Sequence, residues 1–226
     1  MSFKRSQPGL RFGGQGVSPD EMDAYQVYQV ANPSTALLGP LFVASAGTSG
    51  TSDVVAAVIN NKYPDYPRNV QFALAGSAAG MTGTLTLNGN DQFGSAITES
   101  FTFAGANNGG TVAGTKVFGQ FLSGTLAYGT ALGVGTPSIS FVPGTACLFG
   151  LPVKIGRAAD VVHYGMSAGT GPISVGGGTA IGSLVDTTVH AFRPFAAFGG
   201  TTFFNVWVKS TFNGEEANIA RGTQAS

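Results

Sequence analysis

The sequence predicts an all-β protein: an antiparallel sandwich or jelly-roll-like barrel with an extended N-terminal arm. Three observations carry this. About ten short runs rich in Val, Thr and Phe recur at regular spacing between turn residues. Glycine, 35 of 226 residues, falls between those runs and follows no fixed period. No long segment places apolar residues at helical spacing, and parallel strands would need crossover helices.

Residues 1–34 read as the arm. Pro8, Gly9, Gly13, Gly14, Gly16 and Pro19 interrupt any regular element. Ser18-Pro-Asp-Glu fits a short helical turn beginning at Pro19, with acids in its first turn. Tyr25-Gln-Val-Tyr-Gln-Val alternates as a strand does. Two readings of this region stand, a disordered terminus and an arm that orders on a neighbouring subunit. Phe3, Leu10, Phe12, Tyr25 and Tyr28 favour the second, because disordered tails are poor in aromatics, and they are the candidate subunit contacts.

The main domain is expected over 35–212, as one body or as two small β subdomains with a break near 156–180, where glycine is densest. A polar tail follows at 213–226. Strands are expected over 53–59, 70–75, 84–87 and 97–103, with a turn at 88–94 in which Phe93 could fold back as a plug. Ile97, Phe101 and Phe103 share the apolar side of their strand with Glu99. That carboxylate should therefore sit at a sheet margin or pair with a cation. Further strands are expected over 115–122, 138–142, 147–155, 160–164, 180–185, 187–192 and 201–209. Pro152 confines its run to an edge or a bulge.

Composition narrows the function. Hydrophobic residues make up 43% of the chain and 17 are Phe, enough for a sizeable core. Only 10% are charged, against about 25% in ordinary domains, and the net charge is zero. A nucleic-acid partner is not expected, since the Lys and Arg residues are scattered apart from Lys4, Arg5 and Arg11. Nor is a membrane partner: the longest apolar stretches fall far short of the roughly 20 residues that span a bilayer. MSFKRSQPGLRF lacks the apolar run of a secretory signal. Cys147 is alone, which excludes an internal disulfide and fits a reducing cytoplasm.

No catalytic, cofactor or metal site is expected. Gly165-Met-Ser167-Ala-Gly169 matches the G-x-S-x-G elbow, with Asp186 and His190 following in hydrolase order. The elbow needs a strand-to-helix turn, however, and Thr170-Gly-Pro cannot open a helix. His163 and His190 lack the clustered partners of a zinc site. Asn88-Gly-Asn-Asp91 holds a single acid and reads as a turn rather than a calcium loop. Trp207, between Val206 and Val208, reads equally as core and as an exposed stacking surface.

Between Pro67 and Ile155 one series of motifs stands out. It comprises Pro67-Arg-Asn-Val70, Gly89-Asn-Asp-Gln-Phe-Gly94 with Ile97-Thr-Glu99, Gly114-Thr-Lys-Val-Phe118, and Gly150-Leu-Pro152. The series resembles virion structural proteins of tailed bacteriophages. The resemblance implies a non-enzymatic part of the virion, assembled in the host cytoplasm: a capsid decoration or cement protein, or another head or tail component. Its implied partners are the major capsid protein or other virion subunits, with a homo-oligomer expected and a trimer favoured. The rival expectation is a carbohydrate-binding or adhesive β-domain of a tail or fibre.

Overall fold

The computed structural model describes residues 24–34, 53–57, 59, 62–75, 82–103, 111–128, 136–168, 174–175, 181–199 and 201–210. These residues form an all-β structure of antiparallel sheets, and its sheets collect around two large hydrophobic cores.

The first core lies between a four-stranded and a three-stranded sheet. β2 (Asp53–Ala57), β4 (Gly83–Asn90), β5 (Ala96–Phe103) and β7 (Gln120–Tyr128) pair in the order β2-β7-β4-β5. β3 (Val70–Ala75), β6 (Thr111–Ala113) and β8 (Thr136–Phe141) pair in the order β6-β3-β8. Period-two patterning decides which way each side chain points. In β4, Leu85 and Leu87 are buried between half-buried threonines, and in β5, Phe101 and Phe103 are buried between exposed Ser and Thr. Across the core, the Phe72 ring of β3 stacks on Phe103 at 5.1 Å and on Phe101 at 6.3 Å. Gly89 sits at a register shift where a side chain would run into the Gln120 carbonyl and the Phe118 ring.

The second core is built from the two ends of the described chain. β1 (Ala24–Ala31) pairs along its length with β14 (Thr202–Ser210), and the sheet continues through β10 (Val161–Ala168) to β11 (Ser174–Val175). Against it pack β9 (Phe149–Gly150), β12 (Val185–Asp186) and β13 (Ala191–Phe192), with a helical turn α1 (Ile181–Leu184). Phe149 is central: its ring lies 5.4–5.5 Å from those of Phe192, Phe198 and Phe204.

Several expectations change. Residues 24–31 belong to a sheet, not to an arm, because the alternating Tyr-Gln-Val run finds the matching edge of β14. The division between cores falls between Val142 and Cys147, upstream of 156–180, since residues 147–155 already pack in the second core. The strand expected over 115–122 starts at Gln120, because the Thr115 and Lys116 amides turn away to the Glu99 carboxylate. The run over 180–185 holds α1 and, at Val185, only the first residue of the two-residue strand β12, with Leu184 turned into the core. Within 187–192 only Ala191 and Phe192 are strand, and within 147–155 only Phe149 and Gly150.

A polar seam joins the halves. Arg68 forms single bridges to Phe118 on one side and Phe149 on the other. Its side chain is fully buried, stacked 3.4 Å over the Phe141 ring, with Nη2 2.7 Å from Asp65 Oδ1. That ion contact is close but poorly aligned, and no guanidinium nitrogen meets hydrogen-bond geometry. Burial lowers the Arg68 pKa, with Asp65 opposing. Asn69 is better satisfied. Its Nδ2 donates to the Gly114 and Ala146 carbonyls (2.8 and 3.2 Å), and its Oδ1 accepts from Leu148 N–H (2.8 Å). Val117, Leu148 and Ala191 add a small apolar cluster drawn from both halves.

Candidate functional site

Beside the seam lies a cleft of about 260 Å³ whose walls come from both halves: Asp91, Phe93 and Lys116 from the first, Lys154, Val189 and His190 from the second. The first wall is the turn between β4 and β5. Asp91 Oδ1 accepts from the Phe93 and Ser95 amides, both at 2.8 Å, and Gly94 takes φ +86°, so the expected turn is a side-chain-closed one. Gln92 pins it across the seam, donating from Nε2 to the Val189 carbonyl at 2.8 Å. Phe93 does not plug the first core; it is half-buried and meets His190 edge to face at 5.5 Å. Lys154 Nζ lies 5.5 Å over the same ring.

The second wall is a turn capped by Asp186, whose Oδ1 accepts from the Thr188 and Val189 amides. His190 ends it at φ +50°, a left-handed conformation uncommon for a side-chain-bearing residue. The Leu151 amide donates to the His190 carbonyl at 2.8 Å, and His190 Nδ1 lies 3.1 Å from the Ile155 carbonyl. Lys116 projects from the loop between β6 and β7 and donates from Nζ to the Thr98 carbonyl at 2.6 Å. Glu99, at the sheet margin on edge strand β5, is buried and accepts from the Thr115 and Lys116 amides rather than from a cation.

The hydrolase-like residues occupy separate settings. Ser167 lies within antiparallel strand β10 opposite Phe203, not on a strand-to-helix turn. Asp186 closes its own turn and lies 3.7 Å from Arg193, and His190 Nδ1 is held at Ile155. The other histidine, His163, packs edge-on against Trp207 at 5.7 Å. Among the described residues no three His, Cys, Asp or Glu side chains gather as a metal would need. Cys147 is buried, and burial pushes its thiol up to about 12 against a smaller pull from Arg68.

Of the candidate subunit contacts, Phe3, Leu10 and Phe12 lie outside the described residues. Tyr25 is placed in β1 opposite Lys209. Tyr28 faces its own chain's second core: its ring meets Phe192 edge to face at 6.3 Å, and burial raises its pKa. It is a core contact here, because strand alternation turns it inward with Val30.

The outer face of the β1-β14-β10 sheet was less legible. Val27, Trp207 and His163 form one rung across three strands. Val27 is 56% and Trp207 41% exposed, and Val162 at the adjoining bulge is 37% exposed. The next rung holds Gln29 and Asn205, joined side chain to side chain at 3.1 Å. Parity with buried Phe204, Val206 and Val208 was the signal that Trp207 points outward. Compared with known proteins, the chain matches no family model, no curated protein and no solved structure.

Proposed function

We propose that this protein is a structural component of a tailed-bacteriophage virion, a capsid decoration or cement protein that packs against the major capsid protein and its own copies. One observation carries the reading. The motif residues that carry the resemblance hold the two halves of the chain to each other, which supports a part whose role is to present a fixed shape. Arg68 and Asn69 lock the seam, Gln92 pins the first hairpin to the second half, and the Thr115 and Lys116 amides anchor Glu99. Gly150 lies where a side chain would press on Val117 and Pro67, and its amide donates to the Pro67 carbonyl at 2.7 Å. Low charge and, among the described residues, an exposed surface rich in Thr, Ala, Ser and Gly suit a part whose faces meet other subunits. A trimer suits a local three-fold of a capsid lattice.

The test mixes purified protein with undecorated capsids and follows co-sedimentation. Saturable binding in a fixed ratio to the capsid subunit is expected, weakened by removal of residues 1–23, which leaves β1 intact. Protein that stays in the supernatant at micromolar concentration refutes the reading.

A second reading, a carbohydrate-binding or adhesive β-domain, is favoured by Trp207. An exposed indole beside the Gln29–Asn205 amide pair offers a stacking face with neighbouring hydrogen-bond groups. Calorimetric binding of oligosaccharides to the intact protein, lost in a folded Trp207→Ala variant, would favour it over the virion role.

A further inference from the structure

We propose that the cleft beside the seam binds a small organic anion, a carboxylate or phosphate monoester with an apolar body, held between Lys116 of one half and Lys154 of the other. Charge complementarity is the first argument. Charges are scarce in this chain, and the described arginines are matched: Arg68 with Asp65, Arg157 with Asp160, Arg193 with Asp186. Lys116 and Lys154 form no ion pair among the described residues, yet both line the same cleft. The one acid in the lining, Asp91, has an oxygen committed to two amides of its own turn. An ammonium carries three donors, and Lys116 uses one on Thr98.

Lining chemistry gives the second argument. Phe93, Ile97, Val117 and Val189 supply apolar wall beside the lysines, which is the usual make-up of a small-molecule site: apolar surface with a few convergent polar groups. A bare inorganic ion would leave that wall wet. A volume of about 260 Å³ holds roughly eight or nine waters, enough for a ring or short chain with one charged head. The left-handed backbone of His190, kept in place by bonds from Leu151 and at Ile155, marks the same wall as a position where strain is retained. This inference does not depend on the virion reading.

Phenyl phosphate, inorganic phosphate and benzyl alcohol separate the contributions of charge and body when titrated calorimetrically into the intact protein. Phenyl phosphate should bind at least tenfold more tightly than either of the others. Its affinity should fall at least tenfold in the double variant Lys116→Met/Lys154→Met and decline as NaCl rises from about 50 to 500 mM, as an exposed charge contact must. Lys154→Gln alone, which leaves the Thr98 bond intact, should give an intermediate loss with an unchanged urea midpoint. Equal binding of phenyl phosphate and benzyl alcohol, affinity unchanged in a folded Lys154→Gln protein, or no binding at millimolar concentration each overturns the proposal.

Discussion

Asn69→Ala should cost this protein about 3–5 kcal/mol. Three hydrogen bonds vanish, each worth about 1 kcal/mol net. They are not equal. Ala146 is exposed, so its carbonyl can turn to water, whereas Gly114 and Leu148 are buried. With the Ala146 bond replaced by water, the other two cost about 2 kcal/mol together, and one group left stranded, the Leu148 N–H or the Gly114 carbonyl, adds about 1–3 kcal/mol. Against a typical total of about 5–15 kcal/mol the loss is large, and in a domain of this size it lowers Tm by roughly 6–20 °C. Urea unfolding followed by far-UV circular dichroism and by Trp207 fluorescence measures it. The fluorescence reports on the second half, since Trp207 is the only Trp. Asn69→Asp sharpens the test. The carboxylate keeps the acceptor for Leu148 but faces two carbonyl oxygens where Nδ2 donated. Burial opposite two carbonyl oxygens, with the Leu148 N–H as the one donor kept, raises its folded pKa, so the variant's stability is retained below about pH 4 and lost as pH rises through that folded pKa. The gap to wild type should therefore narrow on acidification. A loss below about 1.5 kcal/mol in Asn69→Ala, or a gap independent of pH in Asn69→Asp, refutes the assigned role.

Other perturbations follow from the same structure. Asp65→Asn leaves the buried Arg68 charge uncompensated and should cost about 3 kcal/mol, whereas Arg68→Met, which removes the charge itself, should cost less than half as much; equal losses in urea titrations would contradict this asymmetry. Gly89→Ala, which meets the Gln120 backbone, should cost about 1–3 kcal/mol, while Gly199→Ala, with open space around it, should stay within about 0.5 kcal/mol. Alkali should unfold the protein, because burial raises the Cys147 thiol to about 12 and raises the Tyr164 and Tyr28 hydroxyls. The unfolded chain loses these protons first, so stability is intact below about pH 9 and then falls by about 1.4 kcal/mol per pH unit for each fully buried group. A urea midpoint that is flat from pH 8 to 11 is the contrary result.

Local pattern was enough for strands whose alternation is read directly. β3 appears with the expected bounds, and β4, β5, β8 and β14 within a few residues of them. It failed where a distant partner decides. The Tyr25-Gln-Val-Tyr-Gln-Val alternation was visible, but nothing near it says that its partner lies about 180 residues later. Thr115 and Lys116 have strand-like composition, yet their amides serve Glu99 across the fold. The seam was the least legible part. An Arg is ordinarily exposed, and only the bridges to Phe118 and Phe149 explain why this one is buried. The cleft lysines were likewise visible as residues but not as a pair, because they come from different halves.

The seam's polarity is itself an argument about assembly. A purely apolar contact between two β cores would tolerate sliding, since burial is non-directional. Asn69 cannot slide: its three bonds to Gly114, Ala146 and Leu148 are met in one relative placement of the halves. Arg68, stacked on Phe141 with none of its guanidinium nitrogens in hydrogen-bond geometry, weakens the contact in free-energy terms while its ring stacking and its contact with Asp65 restrict the geometry further. A protein that must present faces from both halves to neighbours at fixed spacing gains from such a trade, because misplacement of one half would spoil every contact made by the other. The Arg68→Met variant separates the two effects. If its stability is near wild type but the capsid binding proposed above falls, the buried charge serves placement. If stability and binding move together, the seam is ordinary packing and the argument for a placement role fails.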